Sequence, residues 1–91
     1  MITGETLIIK TSADNVKSVT VDIYTNCNNN CFEKMEDINI IGELVNNEYI
    51  ITIPASITIK FTPITVVILN LTMQDDTIVK KDLWYNVKQF K

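Results

Sequence analysis

Cys27 and Cys31 bracket three asparagines, and a thiol pair at that spacing offers two kinds of chemistry, half of a metal site or a redox couple. Zinc takes four ligands as a rule, and the chain contains no His to complete the set. A redox Cys-x-x-Cys motif has two intervening residues and opens a helix beside a parallel sheet, which is not the setting here. In a reducing compartment the pair is expected to stay as two free thiols. A local disulfide is the alternative, and a metal shared between two chains a remote one.

The acidic residues offer a second chemistry. Glu33, Glu36 and Asp37 cluster near the cysteines, and oxygen-rich loops can hold calcium or magnesium. Their spacing matches no ordered calcium loop, so a solvated acidic face is expected. Asp14, Asp75 and Asp76 fall in turn sequences, where short acidic side chains are ordinary. Nucleophilic catalysis lacks its parts: Ser12, Ser18 and Ser56 have no His partner, and a cysteine nucleophile would have no imidazole base. No Gly-x-Ser-x-Gly or Gly-rich phosphate loop is present. A domain of this size is expected to offer little room for a substrate pocket. The chain therefore reads as a non-enzyme with no catalytic residues, no cofactor and no metal. Asn70-Leu71-Thr72 matches a glycosylation sequon, but inside a strand rich in buried-type residues it reads as a chance match.

One residue stands out for binding. Trp84 lies in an alternating segment in which Val79, Leu83, Tyr85 and Val87 share one face and Ile78, Lys80, Asp82, Trp84 and Asn86 the other. If the first face is core, Trp84 stands on a mostly polar outer surface, where an exposed Trp marks an interface. Trp84, Lys80 and Asp82 are the candidate interface residues. The competing reading has Trp84 covering the sheet edge or packing under the cysteine loop.

The elements that must position these residues are strands. Residues 64–73 are β-branched and apolar on both faces, and residues 77–87 alternate, with the polar turn Gln74-Asp75-Asp76 between them. That pattern predicts a central strand paired with a half-exposed neighbour. Upstream, residues 6–10 form a short first strand, and residues 12–15 a turn. Residues 17–25 are the cleanest half-buried strand, with Val19, Val21 and Ile23 inward. Residues 26–31 read as a polar loop, and residues 32–36 as one helical turn. Residues 37–41 read as a strand with Ile38 and Ile40 inward, and Gly42 as a bend or bulge. Residues 43–45 and 48–53 flank Asn46-Asn47, a two-residue hairpin turn. Pro54 ends that strand, residues 57–61 alternate as another, and Pro63 closes it.

About seven strands with no βαβ rhythm predict an all-β fold, a single domain over residues 1–91 built as an antiparallel Ig-like β-sandwich. A small β-barrel is the alternative. The hallmarks of an antibody-type domain are missing. The cysteines lie too close together to bridge two sheets, and Trp84 sits in the last strand. Ile, Thr and Val enrichment favours strands.

Charge narrows the partners. The net charge is −3, and all eight basic residues are scattered lysines, with no Arg for bidentate phosphate or base contacts. No nucleic-acid partner is expected. No apolar run reaches the length of a membrane span, and the N-terminus lacks the features of a signal peptide, so no membrane is expected and the chain should stay where it is made unless a natural leader has been replaced.

Three segments carry a resemblance. They are residues 16–26 (VKSVTVDIYTN), 47–54 (NEYIITIP) and 64–72 (ITVVILNLT). An alternating strand ending in an aromatic-Thr-Asn step resembles the small Ig-like domains of tailed-phage virion proteins. These include auxiliary capsid, head-fibre and baseplate modules from phages of AT-rich gut bacteria, the crAss-like group among them. The resemblance spans about residues 16–88 and implies a structural role in the virion, following synthesis in the host cytoplasm. Its partners would be other capsid or tail proteins or copies of itself. The alternative is an adhesion or carbohydrate-binding β-sandwich from a bacterial surface protein.

Overall fold

The computed structural model describes residues 1–27 and 31–88, and its strands follow from the alternation just read. Among the described residues, seven strands form two antiparallel sheets. They are β1 (Leu7–Ser12), β2 (Val16–Asn26), β3 (Phe32–Lys34), β4 (Glu43–Val45), β5 (Glu48–Ile53), β6 (Ile64–Met73) and β7 (Ile78–Asn86). One sheet has the order β1-β5-β4 and the other β3-β2-β6-β7. The inner faces meet across one core, to which Ile9, Ile51 and Ile53 contribute from the smaller sheet and Val19, Val21, Ile23, Val67, Leu69 and Leu71 from the larger.

The long pair behaves as its pattern requires. β6 lies between β2 and β7, so both of its edges are hydrogen-bonded and both its faces carry apolar residues. The three inward residues of β2 are buried as expected. Asn46 and Asn47 both adopt positive φ, 48° and 62°, the backbone a two-residue hairpin turn demands. Gly42 packs close beneath the core: a Cβ there would stand 3.1 Å from that of Val19.

A bulge at Val16–Ser18 interrupts the β2–β6 register. The displaced Lys17 carbonyl is not left unpaired, because the buried Tyr49 of β5 donates its hydroxyl to it at 2.8 Å. One side chain thus ties the smaller sheet to the backbone of the larger.

Three segments differ from their sequence reading. Residues 32–36 form no helical turn; Phe32–Lys34 pair with β2 as an edge strand. Residues 37–41 form no strand beyond a single bridge between Ile41 and Thr20, although Ile38 and Ile40 do pack on the core. Residues 57–61 are not a strand either, because the chain turns through the short helix α1 (Ala55–Thr58). The alternation Ile57, Ile59, Phe61 misleads there: Ile59 is exposed while Thr58 and Phe61 are buried, a one-turn spacing. Thr58 can be buried because its hydroxyl donates to the Glu5 carbonyl at 2.7 Å.

Candidate functional site: an aromatic face on the four-stranded sheet

The register of the larger sheet sets its outer face row by row. Tyr24 lies opposite Val66 and Val66 opposite Trp84; the next rows run Asp22, Ile68, Asp82 and then Thr20, Asn70, Lys80. Trp84, Lys80 and Asp82 therefore share one surface, and all three are exposed, Trp84 by 64%. Leu83, Tyr85 and Val87 pack inward as expected. Val79 does not, and is 43% exposed near the start of β7.

The surface around Trp84 is more apolar than its own strand suggests. Phe32, on the opposite edge strand, meets Trp84 edge to face, with ring centroids 5.7 Å apart. A shallow depression of about 220 Å³ is lined by these rings with Tyr24, Val66, Ile68 and Asp82. Val66 is only 6% exposed although it sits on the outer face, the mark of cover from above. Both readings of Trp84 thus contribute: it packs against the residue that follows Cys31, and it leaves most of its ring in solvent. Sequence reasoning missed Phe32 and Tyr24 as its neighbours. The available signal was β6, whose apolar second face had to be covered by something.

A polar band borders the rings. Asn70 donates its Nδ2 to Asp22 at 3.0 Å, and Lys34 lies 3.5 Å from the same carboxylate. The Asn70 bond, with Lys34 and Lys80 adding positive charge, holds the Asp22 carboxyl below the ordinary carboxylate range. The sequon residue Asn70 therefore has its amide engaged within the sheet. On the inner side, burial pushes the Tyr85 phenol up from its usual value.

Cys27 and Cys31 are not free thiols, contrary to expectation: they form a disulfide. The compartment rule gave way to local geometry. Cys27 N–H donates to Cys31 O at 2.9 Å and closes the β2–β3 connection, which brings the two Cα atoms to 5.4 Å, within disulfide range. The asparagines at 28–30 of the expected loop lie outside the described residues. The Glu33 carboxylate lies within 4.8 Å of the two sulfurs, but sulfurs bonded to each other are not thiolate ligands. Glu33, Glu36 and Asp37 all point into solvent.

An open depression of about 620 Å³ lies between the N-terminal segment and the end of β7, and one of about 580 Å³ lies beside Asp37, Ile41 and Ile57. Among the described residues, no helix is long and apolar enough to cross a membrane.

The site defines an all-β module of two antiparallel sheets that presents aromatic rings, flanked by charge, on one broad face. No family model, no curated protein and no solved structure matches this chain.

Proposed function

We propose that this chain is a non-enzymatic structural protein of a phage virion, a capsid auxiliary or decoration protein or a head–tail component. It acts through protein–protein contacts on the outer face of the four-stranded sheet. The observation that carries the reading is the exposed Trp84 ring, braced by Phe32 and bordered by Lys80 and Asp82. A large rigid aromatic held in place at low entropic cost is the kind of anchor that dominates binding energy.

Two further observations support it. The order β7-β6-β2-β3 opposite β1-β5-β4 follows the G-F-C-C′ and B-E-D arrangement of Ig-like sandwiches, the fold that the resemblance implies. The disulfide suits a protein made in the host cytoplasm and then carried outward, since virion surfaces are oxidising.

The adhesion or carbohydrate-binding reading has one specific observation in its favour, aromatic rings beside a carboxylate at a shallow depression. A binding assay against the products of neighbouring genes and against a glycan panel separates the two. Wild type should bind a virion protein, and Trp84→Ala should stay folded while losing about 2 kcal/mol of affinity. Glycan binding without a virion partner would replace the structural reading with the adhesive one.

A further inference from the structure

The edge of β7 is open, and its open length has a definite register. β7 is nine residues long, against six for β1 and three each for β3 and β4, the other edge strands. In an antiparallel ladder alternate residues turn their N–H and C=O toward the neighbour and away from it. Met73 N–H donates to Thr77 O at 2.8 Å, and Val87 N–H to Pro63 O at 2.8 Å, so the odd-numbered residues of β7 face β6. The backbone groups of Ile78, Lys80, Asp82, Trp84 and Asn86 therefore face outward.

The N-terminal segment covers one end of this edge. The Met1 amine donates to Asn86 O at 3.2 Å, Lys88 N–H donates to Met1 O at 2.8 Å, and Thr3 N–H donates to Lys88 O at 3.0 Å. Between Ile78 and Trp84 the outward groups have no backbone partner among the described residues. A row of unpaired donors and acceptors of this length is a template for another strand.

We propose that the occupant is a second copy of this chain, paired antiparallel along β7 about a two-fold axis at Lys81. Self-pairing that keeps both outer faces on one side places the axis on a residue. With the axis at Lys81, the whole open stretch is paired. Ile78 then lies opposite Trp84 of the second copy and Lys80 opposite Asp82, each twice by symmetry, and all are outward-bonding residues. Opposite charges meet and an aliphatic side chain meets the exposed Trp84 ring, both favourable cross-strand pairs. An axis at Asp82 sets two carboxylates face to face and runs Ile78 against Asn86, where Met1 already sits. An axis at Lys80 sets two ammonium groups together and leaves Trp84 unpaired. The favoured axis carries one opposing contact: Lys81 meets its own copy on the inner side, where it is exposed to solvent. The product is one continuous sheet with four strands from each copy.

This pairing extends the reading of the chain as a contact module but stands on the open edge backbone and its cross-strand side-chain pairs, not on a virion partner. The experiment is sedimentation of the purified protein over a concentration series, with amide exchange followed residue by residue. Wild type should dimerise, and the Lys80 and Asp82 amides should gain protection as concentration rises. Lys80→Pro removes an outward N–H together with the ammonium opposite Asp82, but no bond to β6, so β7 keeps its ladder and the variant should be a folded monomer. Asp82→Lys should weaken the dimer about tenfold or more, and adding Lys80→Asp should restore it. Lys81→Gln should tighten it. A wild type still monomeric at about 0.1 mM, or a dimer indifferent to the charge reversal, would overturn the proposal.

Discussion

The Asp22 carboxylate is held by one amide and two cations, and that arrangement sets a pH dependence. Its folded pKa is depressed, chiefly by the Asn70 hydrogen bond. A depressed carboxyl contributes stability that is present above its unfolded pKa of about 3.9 and is lost as pH falls through the folded value. That contribution should therefore decline as pH falls below about 4, and Asn70→Ala should raise the Asp22 pKa measured by NMR titration. An unmoved Asp22 would show that the lysines, and not the amide, hold it. The disulfide works at the same scale. It closes a very short loop directly before Phe32, so reducing it should remove about 2 kcal/mol of stability and change the Trp84 emission as the Phe32 ring loosens. Thermal melts and fluorescence with and without reductant measure both effects.

Strands and turns carry their own tests. The β4–β5 turn needs two consecutive left-handed residues, which Asn tolerates and β-branched residues do not. Asn46→Val should lower stability by about 1–2 kcal/mol in chemical denaturation, with the denaturant slope unchanged. β6 distinguishes its two faces. Val67 is fully buried between the sheets, whereas Ile68 is half-buried on the outer face beside Trp84. Val67→Asp, like Val21→Asp, should unfold the domain, because an unpaired buried charge costs several kcal/mol against a total of about 5–15. Ile68→Asp should leave a folded protein with a damaged aromatic face, and a dichroism spectrum of each variant decides.

At the scale of the whole molecule the two sheets are joined by apolar contact and by a few polar ties, of which the Tyr49 hydroxyl is the most direct. Tyr49→Phe keeps the ring volume and removes the bond to the Lys17 carbonyl. It should cost about 1 kcal/mol or slightly more, as that bulged carbonyl loses its buried partner. The far-ultraviolet spectrum should be β-dominated. The outer face of the larger sheet and the edge of β7 lie at right angles to each other, so the proposed protein contact and the proposed strand pairing do not compete for the same backbone groups. Trp84 borders both, which makes Lys80→Pro the cleaner probe of the edge and Phe32→Ala the cleaner probe of the face.

The three longest strands were legible in the sequence because a period of two is a local property: β2 and β7 announce their buried face through alternation, and the doubly covered β6 through its absence. The turns at Asn15, at Asn46-Asn47 and at Asp76 were legible for the same reason, since left-handed backbone selects its residues. Trp84 could be placed on the outside by counting from its neighbours. What sequence could not reach depended on partners distant along the chain. α1 replaces a strand because the Glu5 carbonyl is there to receive a buried Thr58 hydroxyl. Phe32 joins a strand because the edge of β2 is free to pair with it. The cysteines bond because the β2–β3 connection folds them together, and the aromatic face exists because register aligns four strands. Alternation tells each residue which side of its own strand it occupies; only tertiary pairing decides which residues from other strands stand beside it.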